Sequence, residues 1–257
     1  MRAAHTALAT IVLAVGVGTT ATRPLPAPYS PRGIVEIQRL ARLGLPLFCG
    51  GAHGRDVALT FDDGPGPYTP LALRILRRAR AEATFFVVGR NIARFPGDLR
   101  AETGLAVVGD HTWDHLDLVQ LSRAEATSQI ARTALAEQAA TGRHTVLFRP
   151  PYGARDATVD GIARMLGLLE VVWDVSSADS AGADWQQIAR NVTRHLRPGD
   201  IVLMHENRGQ TIRALRYLIL PALRRLRLHP VSLETLLAVD PPSPALLRAG
   251  YGGCLRR

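Results

Sequence analysis

Two adjacent carboxylates, Asp62 and Asp63, follow the apolar run 57–61 and precede Gly64-Pro65. Side by side at the end of a strand, they repel each other unless a cation or a proton separates their roles. His111 and His115, four residues apart, can turn both imidazoles toward one point from a helical turn or a tight loop. Two imidazoles and one carboxylate form a three-ligand set that leaves a coordination position open, as in catalytic rather than closed structural metal sites. A cation held in this way would also separate the roles of the two adjacent carboxylates. Asp110, Arg149, Asp174 and His205 also stand where apolar runs end.

Those runs supply the scaffold. Apolar, β-rich segments lie at 57–61, 84–88, 105–108, 146–149, 169–173, 201–204 and 229–232, with helical spacing at 70–80, 122–140, 157–167, 185–197 and 210–227. Strands alternating with helices predict an α/β fold with a parallel sheet, either open and doubly wound or closed as a barrel. In a parallel barrel the C-terminal strand ends converge on one mouth, which is where the polar residues fall. Cys49 and Cys254 are the only cysteines, 205 positions apart. In an oxidising compartment they read as a bridge rather than two free thiols, and a bridge between the chain ends favours closure.

An oxidising compartment is itself expected. Arg2, the short apolar run from Ala7 to Val17 and the small-x-Ala pattern at Thr19-Thr20-Ala21 predict a signal peptide over 1–21, with an uncleaved anchor as the other reading. No other apolar stretch reaches spanning length, so no stable membrane span remains after cleavage. Pro24, Pro26, Pro28 and Pro31 predict an extended linker within a 22–48 extension, leaving 49–257 as one catalytic domain. With 257 residues and 47% hydrophobic content the chain has ample core for that domain. The formal charge of +9 comes from 31 arginines without a lysine. This reads chiefly as an Arg-rich exterior, and it is compatible with an anionic partner.

Four segments together resemble one family. Thr-Phe-Asp-Asp-Gly-Pro at 60–65, His-Thr-Trp-Asp-His at 111–115, Arg-Pro-Pro-Tyr-Gly at 149–153 and Leu-Met-His at 203–205 are similar, in order and spacing, to the motifs of the polysaccharide deacetylases. These carry the NodB homology domain, also called carbohydrate esterase family 4. The resemblance spans about residues 55–240. It implies a distorted (β/α) barrel of seven or eight units, a single catalytic domain, and metal-dependent hydrolysis of acetyl groups on N-acetylated sugars.

The resemblance also implies roles. Asp63, His111 and His115 would bind one divalent ion, usually zinc, with cobalt or manganese as alternatives. Asp62 would be the base, oriented by Arg149, and His205 the acid, tuned by Asp179 or, as second choice, Asp174. The backbone N–H of Tyr152, after Pro150 and Pro151, would receive the oxyanion. Leu203 and Trp173 would form the pocket for the acetyl methyl, against the alternative that they simply fill the barrel. Leu116 and Ser180 depart from the family's usual Pro and Trp, and the second change puts sugar stacking in doubt. Expected partners are acetylated polysaccharides or oligosaccharides, not nucleic acid, and the enzyme is expected as a secreted or wall-associated monomer. An O-deacetylase of the same fold, a metal-dependent phosphoesterase and a non-catalytic binding module stand as alternatives.

Overall fold

The computed structural model describes residues 30–256, so the expected signal peptide at 1–21 and Pro24, Pro26 and Pro28 lie outside the described residues. Eight strands follow in chain order: β1 (Asp56–Gly64), β2 (Thr84–Val87), β3 (Val107–Asp110), β4 (Leu147–Phe148), β5 (Leu169–Glu170), β6 (Val175–Ser176), β7 (Ile201–His205) and β8 (His229–Val231). They pair in parallel in the order β5-β4-β3-β2-β1-β7-β6, with β8 beside the first three residues of β1. The connecting helices are α1 (Pro31–Leu43), α2 (Thr69–Ala79), α3 (Gly89–Arg94), α4 (Pro96–Thr103), α5 (Arg123–Thr141), α6 (Ala157–Met165), α7 (Trp185–Thr193), α8 (Gly209–Ala214), α9 (Leu220–Leu226), α10 (Leu233–Val239) and α11 (Pro244–Leu255). The arrangement is a distorted α/β barrel.

The period-two alternation of the strands decides what faces inward. Val57, Leu59, Phe61, Phe85, Val87, Val202 and Met204 point outward into one buried layer with α2, α7 and the α8–α9 region. The residues between them, Ala58, Phe86, Val107, Leu147, Leu169 and Ile201, form a second cluster inside the barrel. Further along the same faces come Thr60 and Asp62, Arg149, and Leu203 and His205. The barrel interior is thus apolar at its base and polar toward the strand ends.

The base is closed by a helix where a linker was expected. Ser30 accepts a hydrogen bond from the Gly33 N–H, and Pro31 occupies the first turn of α1, where its missing N–H leaves no orphan donor. Ile37, Leu40 and Ala41 on one face of α1 enter the interior cluster with Leu233, Leu236 and Leu237 of α10. Burying each of the larger side chains is worth roughly 1.5–3 kcal/mol, which is why this stretch docks instead of remaining extended.

Two further differences from the sequence expectation have local causes. The run 169–173 is not one strand: β5 and β6 lie at opposite ends of the pairing order, and residues 171–174 cross the seam between them. Residues 47–50 strap this seam. The Leu47 N–H donates to the Glu170 carbonyl (2.8 Å), the Val172 N–H to the Leu47 carbonyl (2.7 Å), and the Gly50 N–H to the Gly199 carbonyl (2.8 Å). Cys49 is disulfide-bonded to Cys254 of α11, with Cα atoms 6.0 Å apart, so the strap is tied to the other end of the chain. The expected helix over 210–227 is interrupted by a π turn at Leu215–Ile219, just before Pro221. Proline has no N–H for the helical ladder and crowds the carbonyl four residues back, and the wider turn accommodates it.

Candidate active site

The mouth is built by strand ends that run further than their apolar stretches. β1 carries Asp62 and Asp63 within the strand, and the pairing register places Asp62 directly opposite His205 of β7. β3 ends at Asp110, and the His111 N–H still donates to the Val87 carbonyl (2.9 Å) before the chain turns. His111 and His115 converge from a tight loop rather than a helix. Thr112 and His115 adopt positive φ of 67° and 59°, and the His115 N–H is bonded to the Thr112 hydroxyl (3.1 Å). Asp63 (72°), Tyr152 (63°) and Ala178 (56°), the neighbour of Asp179, are also left-handed. Such backbone disfavours residues with a Cβ and persists only where surrounding contacts over-determine it, a feature that concentrates at functional sites.

Asp63, His111 and His115 each offer one ligand atom, and the three atoms lie within 4.8 Å of one another. The distance from Asp63 Oδ1 to Nε2 is 3.2 Å for His115 and 3.7 Å for His111. Nδ1 of His111 stands 2.7 Å from the Arg149 carbonyl, which can only accept, so Nδ1 carries the proton and Nε2 presents its lone pair to the cluster. Burial drives the His111 pKa down to about 3, opposed by the charge of Asp63, so the ring is neutral. Asp63 Oδ1 is buried without a hydrogen-bond donor among the described residues. A buried carboxylate oxygen facing an imidazole lone pair is a poor arrangement by itself and a suitable one for a divalent cation, so the residues fit such an ion.

Asp62 stands beside this set. Its Oδ1 accepts from Arg149 Nη1 at 2.8 Å, and its Oδ2 lies 3.6 Å from His111 Nε2. Burial raises its pKa, and the Arg149 charge partly opposes that rise. Arg149 is fully buried: its remaining donors reach the Thr60 hydroxyl (2.8 Å) and the carbonyls of Val171 (3.2 Å) and Val172 (2.9 Å), and its guanidinium lies 4.1 Å from the centre of the Phe86 ring. One side chain therefore grips both the candidate base and the barrel seam.

On the other side, His205 Nδ1 is 2.7 Å from Asp179 Oδ1, while the His205 N–H and the Thr211 hydroxyl both donate to Asp179 Oδ2 (2.7 and 2.6 Å). Burial lowers the His205 pKa, but the Asp179 bond and the charges of Asp62 and Asp63 outweigh it, and the net shift is upward. Asp174 is elsewhere, accepting from the Ile201 N–H at the seam (2.8 Å). Pro150 and Pro151 lead into the short turn Pro151–Gly153, which presents the backbone of Tyr152 to the mouth. Trp173, half-buried, packs against that turn so closely that a Cβ on Gly153 would lie 2.8 Å from its ring. Leu203 is buried in the barrel below His205.

Sequence reasoning missed two amides. Asn91 Nδ2 donates to the backbone carbonyl of Asp63 (3.0 Å) and Asn207 Nδ2 to Asp63 Oδ2 (3.2 Å), so one fixes the main chain and the other the carboxylate. Asn207 stands two residues after His205, and a polar residue so close behind a strand-end histidine was a usable signal, whereas Asn91 had none. With Asp63, Arg90, His115 and Tyr152 they line a polar cavity of about 330 Å³.

Known proteins share this plan. Residues 50–171 match the polysaccharide deacetylase family. A chitooligosaccharide deacetylase of Bradyrhizobium sp. (strain ANU 289) is 36% identical over 215 residues, covering 73% of this chain and 96% of that protein. A bifunctional xylanase/xylan deacetylase of Cellvibrio japonicus is 34% identical over 151 residues, covering 58% of this chain and 23% of the relative. Among solved structures, the Bc1960 peptidoglycan N-acetylglucosamine deacetylase superimposes with a TM-score of 0.71 at 30% identity, covering 75% of this chain and 92% of that one. A relative matched over almost its whole length and a solved deacetylase of the same fold lead to one conclusion: this chain belongs to the polysaccharide deacetylase family, whose members are hydrolases of the N-acetyl amide bond.

Proposed function

We propose that the protein is an exported, metal-dependent deacetylase that removes N-acetyl groups from N-acetylglucosamine residues of a cell-wall or chitin-like polysaccharide. The observation that carries this reading is the convergence of a three-ligand set with an arginine-held carboxylate on one side and a carboxylate-held histidine on the other. A secreted or wall-associated location follows from the expected signal peptide and suits a glycan substrate.

In this reading Asp63, His111 and His115 hold one divalent ion, with zinc as the first choice for an imidazole-rich set. When bound, the ion supplies Lewis acidity that lowers the pKa of water and polarises the acetyl carbonyl. Asp62, its Oδ1 occupied by Arg149, uses Oδ2 to take the proton of the attacking water. The Tyr152 N–H donates to the oxygen on which negative charge develops. Leu203 and Trp173 border the space for the acetyl methyl. His205 then gives a proton to the departing nitrogen, since an amide nitrogen leaves as an amine and not as an anion. Acetate and a free amine result.

Dialysis against a chelator is expected to abolish acetate release from chitooligosaccharide, and added zinc or cobalt to restore it. Activity indifferent to chelation would remove the metal from the mechanism. A panel of chitooligosaccharide, peptidoglycan and acetylxylan then separates amide from ester chemistry. The xylan deacetylase similarity gives an O-deacetylase reading its support, and turnover of acetylxylan alone would establish that reading instead.

The acid role has a pH signature. His205 is active in its protonated form, and its raised pKa keeps it so; activity is therefore lost as pH rises through that pKa. Asp179→Asn removes the charge that holds the proton, so the alkaline limb of kcat/KM moves to lower pH and kcat falls by about tenfold or more. An unchanged alkaline limb would assign it to another group.

A further inference from the structure

Away from the mouth, a groove runs between α2 and α9 down the outer wall of the barrel. Its upper part, about 190 Å³, has Arg74 and Arg78 of α2 on one wall and Arg216 and Arg224 on the other, with Ile75 and Leu220 among the residues between them. The lower part, about 720 Å³, shares Leu220 and Arg224 with the upper and adds Arg55, Arg80 and Arg227. All seven arginines are exposed, and none forms an ion pair with a carboxylate among the described residues. The one acid in the lining, Glu82, is engaged by Ser232 and Thr235 of the neighbouring turn.

An Arg-rich composition alone would scatter these charges, and two observations separate the groove from that background. The first concerns the backbone. Seven non-glycine residues have positive φ among the described residues; five of them build the catalytic mouth, and the other two are Arg80 and Arg227 (53° and 58°). They occupy the αL positions that terminate α2 and α9, where glycine is the low-strain residue. Each places a guanidinium on the groove at a position where glycine would fit with less strain. The second observation is the pairing of walls. Arg74 and Arg78 are one helical turn apart, about 6 Å along the axis, and face Arg216 and Arg224 across the cleft. A chain lying between them is met by donors from both sides. A phosphodiester, with a free oxygen on each side of its backbone, satisfies both walls, whereas a carboxylate turns both oxygens to one.

We infer that this groove binds an extended anionic polymer of polyols linked by phosphodiesters, at a site separate from the catalytic mouth. The lining has no Phe, Tyr or Trp on which nucleobases could stack. It is also a cleft, which suits a single extended chain better than the flat surface of a membrane. Bound there, the polymer tethers the barrel by its side and leaves the mouth open.

The test is calorimetric titration of the purified protein with poly(glycerol phosphate) at about 0.15 M salt. Two variants each remove four charges: R74Q/R78Q/R216Q/R224Q in the groove, and R42Q/R123Q/R190Q/R248Q at exposed sites elsewhere. The groove variant is expected to bind at least about tenfold more weakly and with a shallower salt dependence, and the control less than about twofold more weakly. Matching thermal midpoints verify that both fold. Binding is read directly, so the result stands whether or not acetate release is found. Equal weakening of the two variants, or no saturable binding, would reduce the groove to part of a diffuse basic exterior. Tighter binding to oligothymidylate, polygalacturonate or phosphatidylglycerol vesicles than to poly(glycerol phosphate) would overturn the assigned partner.

Discussion

Asp62→Asn is expected to lower kcat for acetate release by about 10²–10⁴-fold, the range for loss of a positioned general base, while the protein still binds one equivalent of metal. The replacement has nearly the same shape. Its carbonyl oxygen can keep the Arg149 hydrogen bond seen at 2.8 Å, so the barrel interior is undisturbed. The amide nitrogen that replaces Oδ2 cannot accept a proton from water. In the proposed role as base, Asp62 gains from the burial that raises its pKa, because a carboxylate of ordinary acidity has less tendency to take that proton. Asp63→Asn is the informative companion: it should lose metal and activity together, since Asp63 is the carboxylate of the ligand set. An Asp62→Asn enzyme with undiminished kcat would move the base elsewhere, and loss of metal in that variant would merge the two carboxylate roles that the geometry keeps apart.

Arg149→Met should destabilise the fold by about 3–5 kcal/mol, the penalty for removing one partner of a buried ion pair. Beyond leaving Asp62 as an unpaired buried carboxylate, it strips the carbonyls of Val171 and Val172 of their donors at the point where the chain crosses the seam. For a domain of this size the loss corresponds to a fall of roughly 6–20 °C in thermal midpoint. Because that variant risks not folding, Arg149→Lys is the second measurement. Lysine keeps the charge but lacks the planar fork, so it cannot serve Asp62 and both carbonyls together. It should fold with a smaller loss yet retain little activity. A Met variant as stable as the parent in urea would mean that the seam is held by residues 47–50 and the disulfide alone.

The constellation was legible because its residues stand at strand ends, and strand ends are readable from apolar runs. Asp62, Arg149 and His205 share a barrel face with Ala58, Leu147 and Ile201, so the alternation that marks the core also marks what lies above it. The choice between Asp174 and Asp179 was not legible. Five residues separate them, and which one reaches His205 depends on the crossing of the seam at 171–174 and the left-handed turn at Ala178, neither of which has a periodic signature. The role of α1 was hidden for a similar reason. Proline is compatible with an extended linker and with the first turn of a helix alike, and only the docking of Ile37 and Leu40 into the barrel base decides between them. The amides of Asn91 and Asn207 act on Asp63 from loops whose paths tertiary contacts determine.

The central position of β1 has a kinetic consequence. Its partner β7 begins at residue 201, so the pairing that sets Asp62 opposite His205 joins distant parts of the chain, while β8 and the disulfide add still longer closures away from the mouth. Loops of that length close late and slowly, because their entropy must be lost before their contacts form. A chain truncated before β7 holds the proposed ligand set and base but lacks His205, the proposed acid. On the proposed roles, catalytic competence waits for β7 to dock, and acetate release can serve as a clock for that step.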